Sequence, residues 1–207
     1  MNAKRQERLR ILTRTDEPYW TQGLRFAGMD EVGRGPLAGA VMAACVIMPP
    51  EPLLAWVDDS KALSEARREQ VYTQIMEIAL FAGIGRAEPD EIDALNILQA
   101  TKLAMRRAAH GAQAAIYLID ALDGLGLDGK EHGIIHGDAI SYSIAAASIV
   151  AKVTRDREMR LLSKQYPYYA FERNKGYGTP EHIAALLAHG ACPIHRKSFI
   201  GRFVSSP

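Results

Sequence analysis

Runs of hydrophobic residues along the chain predict short β-strands separated by polar turns. The strand candidates are rich in Val, Ile and Ala, and they cover residues 26–30, 38–48, 81–87, 115–119 and 134–135. The first two are joined by Gly33-Arg34-Gly35-Pro36, a turn signal that predicts a hairpin. Residues 33–35 are called the GRG turn below.

Apolar positions spaced three or four residues apart predict helices between and after these strands. Ser64 can cap a helix that carries Val71, Ile75 and Ile78. Residues 91–109 predict one helix, with Ile92, Leu95, Leu98 and Leu103 on a single face. The longest helix is predicted over residues 140–164, and a last one between Thr179 and Gly190. A hairpin followed by alternating helices and strands predicts an α/β or α+β fold, with a mixed sheet covered by helices.

Composition narrows the class of protein. The chain has 207 residues, of which 48% are hydrophobic and 24% charged, as in a globular domain. Its apolar runs are too short for a membrane helix, and the basic N-terminus has no apolar core after it. Two cysteines, Cys45 and Cys192, do not form a disulfide framework. We therefore expect a cytoplasmic protein that is neither secreted nor bound to a membrane.

The net charge of +1 conceals an asymmetry along the chain. Residues 1–151 hold 15 basic and 20 acidic residues (15 − 20 = −5), whereas residues 152–207 hold 10 and 4 (10 − 4 = +6). A basic C-terminal part can bind a polyanion, or it can be an ordinary solvated surface. Charge alone does not decide between these two interpretations.

Four carboxylates close or follow strand candidates: Asp30, Glu31, Asp120 and Asp138. Strand ends meet at one edge of a sheet, where ligands bind in α/β folds. Carboxylates that converge repel one another, and an oxygen-only ligand set suits Mg²⁺ or Mn²⁺ rather than Zn²⁺. Each acid can equally be a loop residue or a helix cap. Position alone leaves both interpretations open.

Other chemical signals are weaker. A phosphate-binding loop pattern is absent from the sequence. Cys192 and His195 have a ligand-like separation, but without a second pair we do not expect zinc. We expect the six histidines at the surface or as helix caps, and Ser148 as a small packing residue.

Six blocks of sequence, in order, resemble the ribonuclease HII family. They are residues 30–39 (DEVGRGPLAG), 59–61 (DSK), 91–97 (EIDALNI), 143–155 (SIAAASIVAKVTR) with Asp156, 175–179 (KGYGT) and 195–199 (HRKSF). The resemblance implies a ribonuclease H-like mixed β-sheet flanked by helices, with a C-terminal helical extension. Residues 1–20 look like a polar, partly helical N-terminal extension, and the resemblance implies a catalytic core over 21–165 and a basic substrate-binding extension over 166–207.

The resemblance also implies an activity. It is that of an endonuclease that cuts the RNA strand of RNA–DNA hybrids and cuts 5′ of ribonucleotides embedded in duplex DNA. The ends would be a 3′-hydroxyl and a 5′-phosphate, and Mg²⁺ or Mn²⁺ would be the cofactor. The partners would be these nucleic acids, without an obligate protein partner, and we expect a monomer.

Residue by residue, Asp30, Glu31, Asp120 and Asp138 match the family's catalytic, metal-binding acids. Asp123 is a rival for Asp120, because Ala121 stands where many relatives have Gly and a glycine-rich loop follows. We prefer Asp120 because it directly ends the strand. The substrate-binding residues implied by the resemblance are Gly33, Arg34, Gly35, Lys61, Tyr177, Arg196, Lys197 and Ser198. The GRG turn and Tyr177 would sense the ribose 2′-hydroxyl, which distinguishes RNA from DNA.

Two further departures are His136, where Lys is common, and Asn174, where His is common. Other basic residues of the C-terminal part, such as Lys152 and Arg155, are also candidates for phosphate contact. A hybrid-binding protein without activity is an alternative, although all four acids are present. A glycosidase with two carboxylates is a third hypothesis, but it leaves the basic C-terminal part unexplained.

Overall fold

A computed structural model describes residues 2–203, and within that range the strands form one mixed sheet. The strands are β1 (Phe26–Val32), β2 (Val41–Ile47), β3 (Phe81–Ala87), β4 (Ile116–Asp120) and β5 (Lys130–Ile134). Their order across the sheet is β3-β2-β1-β4-β5. The pair β1–β2 is antiparallel, whereas β1–β4 and β4–β5 are parallel. The predicted hairpin and the mixed sheet are therefore confirmed.

Helices cover both faces of this sheet. They are α1 (Ala3–Thr21), α2 (Glu65–Ile78), α3 (Pro89–Leu95), α4 (Ile97–Ala109), α5 (Gly137–Ile140), α6 (Tyr142–Gln165), α7 (Phe171–Asn174), α8 (Pro180–His189) and α9 (Lys197–Ile200). One buried cluster packs α4 against the sheet, and another packs α2 and α6 against the opposite face. This three-layer arrangement follows from strands that are buried on both sides. No helix among residues 2–203 is both long enough and apolar enough to cross a membrane.

The close approach of α6 to β1 depends on a glycine. A Cβ added to Gly28 would lie 2.1 Å from the carbonyl carbon of Ser143. Small residues of α6, including Ala146 and Ala147, are fully buried next to it. The backbone of α6 can therefore lie directly on the central strand.

Two sequence predictions of elements need correction. Residues 91–109 form two helices, because Asn96 has a φ of 69° and its side chain caps α4. This break turns Leu95 and Leu98 outward, so the predicted single apolar face is wrong. Strand β5 ends at Ile134, and Ile135 is 74% exposed. The pairing of β5 with β4 is set by backbone hydrogen bonds rather than by this apolar dipeptide.

Helix α1 packs on the rest of the chain through buried polar contacts. Arg5 and Arg8 both form ion pairs with Asp58. Asp16 is fully buried and accepts hydrogen bonds of 2.7 Å from the Ser141 hydroxyl and from the Ser143 amide. The N-terminal segment is thus a docked helix that fixes the beginning of α6.

Candidate active site

The strand register brings two of the predicted acids side by side. In the parallel pair of β1 and β4, Gly28 lies opposite Leu118 and Met29 lies opposite Ile119. The next residues along the two strands are Asp30 and Asp120, at the carboxyl ends where parallel strands present ligand-binding groups. Side chains two residues apart along a strand lie on the same face of the sheet. Asp30 and Asp120 therefore share the face of Gly28 and Leu118, and their side chains point toward α6.

Asp30 is buried beneath this edge of the sheet. Burial raises the pKa of its carboxyl group well above the usual value, and the neighbouring charge of Glu31 raises it further. Hydrogen bonding from Ser148 opposes this rise, and the Glu31 amide donates a 2.7 Å bond to Oδ1. The Ser148 hydroxyl lies 2.9 Å from that of Ser60. Ser148 therefore contacts the site, whereas the sequence indicated only a packing role.

Glu31 lies next in β1, on the α4 side of the sheet, as alternation along a strand requires. Its Oε2 atom is buried and has no hydrogen-bond partner among residues 2–203. Oε1 accepts a 3.3 Å bond from Arg34. Burial raises the pKa of Glu31, although Arg34 lowers it in part. A buried carboxylate oxygen without a partner is a place where a cation would be stabilised.

Asp120 and Asp138 are linked through the start of α5. The Gly137 amide donates a 2.7 Å hydrogen bond to Asp120 Oδ1. Burial raises the pKa of Asp120, and the charge of Asp138 adds to this effect. Asp138 is 7% exposed and its Oδ2 lies 3.2 Å from Lys61 Nζ. Lys61 thus supplies a positive charge at the edge of the carboxylate group.

The four carboxylates are neighbours rather than a preformed cluster. Across residues 2–203, no three Asp, Glu, His or Cys side chains come together closely enough to hold a metal ion. Burial raises the pKa of Asp30 and of Asp120, and the charges of neighbouring carboxylates raise both further. The donor set still fits Mg²⁺ or Mn²⁺, since it consists of oxygens and includes the partnerless oxygen of Glu31. A divalent cation would supply the charge that draws these side chains together.

Asp123, the rival for the third ligand, lies apart from this group. It is exposed in the loop after β4, and Asp120 is the acid that contacts the start of α5. The position of Asp120 at the end of the strand therefore supports the preferred assignment.

The GRG turn and Tyr177 lie next to each other. Gly33 has a φ of 89°, which favours glycine. A Cβ added to Gly35 would meet only Tyr177 Cε1, at 3.6 Å. Arg34 and Gly35 are exposed, and Tyr177 is 45% exposed. These residues thus form one accessible surface beside Glu31.

Several of the side chains predicted as candidates for phosphate contact make their hydrogen bonds within the protein. Arg196 is fully buried and Arg155 is 1% exposed, and both donate to backbone carbonyls. Lys152 donates a 2.6 Å bond to Asp156. Lys197 remains exposed, and the Ser198 hydroxyl is bound to Asp93.

Sequence reasoning also missed two buried histidines. His182 and His195 lie in the interior, with their Nε2 atoms 3.0 Å apart, and the expectation that all histidines are superficial or capping is wrong for them. The His182 ring bonds the Tyr177 carbonyl through Nδ1 at 2.8 Å. Asn174, the other departure from the family pattern, accepts from the Gly176 amide and donates to the Tyr169 carbonyl. His195 opens the sequence block 195–199, whereas His182 lies outside the blocks and gave no such signal.

Comparison with known proteins gives the family. A family model described as Ribonuclease HII matches residues 27–202. The Ribonuclease HII of Desulfitobacterium hafniense (strain DSM 10664 / DCB-2) is 54% identical over 196 residues. That alignment covers 93% of this chain and 75% of the relative.

Solved structures agree on the fold. The RNase HII in the PCNA:RNase HII complex from Archaeoglobus fulgidus matches with a TM-score of 0.72 at 24% identity, covering 88% of this chain and 98% of that one. Bst-RNase HIII in complex with Mn²⁺ matches with a TM-score of 0.59 at 21% identity, covering 81% and 63%. The family match and the high identity to the bacterial relative together show that the chain belongs to the ribonuclease HII family, which consists of endonucleases of the ribonuclease H type.

Proposed function

We propose that this protein hydrolyses the RNA strand of RNA–DNA hybrids and cuts 5′ of single ribonucleotides embedded in duplex DNA. The products would carry 3′-hydroxyl and 5′-phosphate ends. The observation that carries the proposal is the position of Asp30, Glu31 and Asp120 at adjacent strand ends, with Asp138 joined to them through Gly137. Family membership supports action on hybrids, and the adjoining GRG turn supports recognition of a ribonucleotide.

The four acids would hold divalent cations, Mg²⁺ or Mn²⁺. When bound, such cations activate a water molecule for in-line attack and stabilise the leaving oxygen. The structure of the RNase HIII relative contains Mn²⁺, which agrees with this choice of ion. The Glu31 amide donates to Asp30 Oδ1, which gives this carboxylate a defined orientation at the edge of the sheet. Glu31 contributes the buried oxygen that lacks a protein partner.

Residues around the acids would bind the nucleic acid. Lys61 and Lys197 are exposed cations that can contact phosphates, which position a duplex without reading its sequence. The amides of the GRG turn can bond the 2′-hydroxyl, and the ring of Tyr177 can pack on the sugar of the same nucleotide. Gly33 is buried, whereas Arg34 and Gly35 are exposed and are therefore accessible for this contact.

All of these groups lie on one chain, which supports activity as a monomer without an obligate protein partner. The archaeal relative was solved in a complex with PCNA, so an additional protein partner is compatible with this fold. We place the protein in the cytoplasm, where its two free cysteines would stay reduced.

The test uses the purified protein and two labelled substrates: a long RNA–DNA hybrid and a DNA duplex with one ribonucleotide. We expect cleavage of both only with Mg²⁺ or Mn²⁺, and one cut on the 5′ side of the single ribonucleotide. An all-DNA duplex of the same sequence is the control. Binding of hybrids without any cleavage, in either metal, would contradict the proposal and favour a hybrid-binding protein.

A further inference from the structure

The guanidinium group of Arg196 lies directly behind the GRG turn. It is fully buried and donates to carbonyl oxygens only. Nη2 bonds Gly33 O at 2.6 Å, Nη1 bonds Arg34 O at 2.9 Å, and Nε bonds Gly39 O at 2.9 Å. Because guanidinium is planar with five donors in a fixed fork, these bonds define the orientation of several peptide groups at once.

A second buried arginine supports the same loop. Arg155, on α6, donates to Ala40 O at 3.1 Å, to Ala38 O at 3.2 Å and to Lys175 O at 2.9 Å. A Cβ on Gly33 would lie 2.3 Å from Arg155 Nε, so the turn rests on this side chain. Arg155 thereby connects the loop after β1 to the segment that carries Tyr177.

These bonds determine where the amides of the turn point. In a trans peptide the C=O and the following N–H point in opposite directions. Since Arg196 holds the carbonyls of Gly33 and Arg34 inward, the amides of Arg34 and Gly35 point away from the guanidinium. Both residues are exposed, and neither amide donates to any backbone group of residues 2–203. Two outward amides on adjacent residues form a site for an anionic or hydroxyl oxygen.

The charge behind the turn favours the same kind of ligand. Neither Arg155 nor Arg196 forms an ion pair with a carboxylate in the part of the chain that the structure describes. Burial lowers the pKa of Arg196 to about 9, so its guanidinium remains charged at neutral pH. Two buried positive charges that are satisfied only by carbonyls leave the turn electropositive toward solvent.

We propose that Arg196, supported by Arg155, is a positioning residue that orients the Arg34 and Gly35 amides toward the 2′-hydroxyl and adjacent phosphate of a ribonucleotide. This inference rests on the proposed function. It assigns to Arg196 a geometric role in discrimination between ribose and deoxyribose, in place of a direct phosphate contact. A lysine keeps the charge but lacks the fork, so Arg196→Lys separates geometry from charge.

The experiment measures binding of the metal-free protein to a DNA duplex with one ribonucleotide and to the same duplex made only of DNA. Wild type should prefer the ribonucleotide-containing duplex. In Arg196→Lys we expect this preference to fall about tenfold, as loss of well-placed hydrogen bonds would cause, with affinity for the all-DNA duplex nearly unchanged. Arg155→Lys should show the same pattern. Arg157→Lys is the matched control, since this exposed arginine on α6 pairs with Glu69 and does not contact the turn.

The outcomes separate the two proposals. An unchanged preference in folded Arg196→Lys would overturn the inference while leaving the proposed function intact. Absence of any preference in wild type would contradict the proposed ribonucleotide recognition itself, and the inference with it. Because Arg196 is buried and its variant can lose stability, a second measurement uses wild type labelled with ¹⁵N. The Arg34 and Gly35 amide signals should shift with the ribonucleotide-containing duplex and not with the all-DNA duplex, and equal shifts would overturn the inference.

Discussion

His182 and His195 form a directed hydrogen-bond chain through the interior of the C-terminal segment. The Cys192 amide donates to His195 Nδ1 at 2.9 Å, so the proton of that ring is on Nε2. His195 Nε2 then donates to His182 Nε2 at 3.0 Å, and His182 Nδ1 donates to the Tyr177 carbonyl at 2.8 Å. Both rings are therefore neutral in this arrangement, and the chain ends at a residue of the proposed substrate surface.

Acid should break this chain and lower the free energy of unfolding. Burial, together with the nearby His182, lowers the pKa of His195 from 6.5 to about 4. Between these values the unfolded chain binds more protons than the folded one, so this contribution is present above pH 6.5 and is lost as the pH falls toward 4. The loss should be on the order of 2–3 kcal/mol. Urea unfolding from pH 7 to pH 4.5 should give a flatter profile for His195→Gln than for wild type, whereas His189→Gln, at an exposed position, should follow wild type.

Replacement of the acid at the end of β4 should stop catalysis. Asp120→Asn should lower the cleavage rate of a hybrid at least about a hundredfold, because a main electrostatic element of the site is lost. Thermal unfolding should remain cooperative. Asp123→Asn is the control, since Asp123 is exposed in the following loop. Near-normal cleavage by Asp120→Asn, together with loss in Asp123→Asn, would instead identify Asp123 as the ligand.

Removal of the Tyr177 ring should affect the two substrates unequally. Tyr177→Ala deletes a surface worth about 1–3 kcal/mol per stacked contact, while the acids stay in place. Cleavage at a single ribonucleotide should therefore fall more than cleavage of a long hybrid, which can bind in many registers. Tyr168→Ala is the matched control for Tyr177→Ala, because Tyr168 is also an exposed tyrosine (65%) but stacks on His189. An equal decrease on both substrates would mean that Tyr177 has only a structural role.

The exposed Lys197 gives a test of phosphate contact. Lys197→Gln should weaken binding to duplexes of any sequence and should reduce the slope of log affinity against log salt by about one. Fluorescence anisotropy at several salt concentrations measures this slope. Lys4→Gln, on the exposed side of α1, should keep the wild-type slope. Identical slopes for the Lys197 variant and wild type would remove Lys197 from the binding surface.

Alanine should affect stability at Gly28 and activity at Gly35. Gly28→Ala places a Cβ against the backbone of Ser143 and should lower the free energy of unfolding by about 2–3 kcal/mol. Gly35→Ala meets only the Tyr177 ring at van der Waals distance and should leave stability unchanged. It should nevertheless reduce cleavage of both substrates, because the new methyl group occupies the exposed surface of the turn. Full activity in Gly35→Ala would show that nucleic acid does not approach the turn closely.

Local patterns in the sequence determined much of the fold. The bounds of β3, the Ser64 cap of α2 and the Thr179 cap of α8 were all predicted, because periodicity and capping depend on neighbours in the chain. The mixed sheet followed from the order of these elements. The break at Asn96 was missed, because a single residue with positive φ interrupts an apolar spacing that continues across it.

The assignment of the four acids to the site is likewise a prediction from the sequence, through their positions at strand ends and the resemblance of whole blocks. What only the tertiary structure decided is which charged residues face solvent. Arg155 and Arg196 read as surface cations in a basic segment, yet they are buried where carbonyls of the GRG turn converge. The residues that bury these two arginines lie more than 100 positions away along the chain. A local sequence pattern does not show which distant segments will pack together. The same long-range packing joins His182 and His195 to Tyr177, because an arginine or a histidine can be buried only where other segments satisfy its donors.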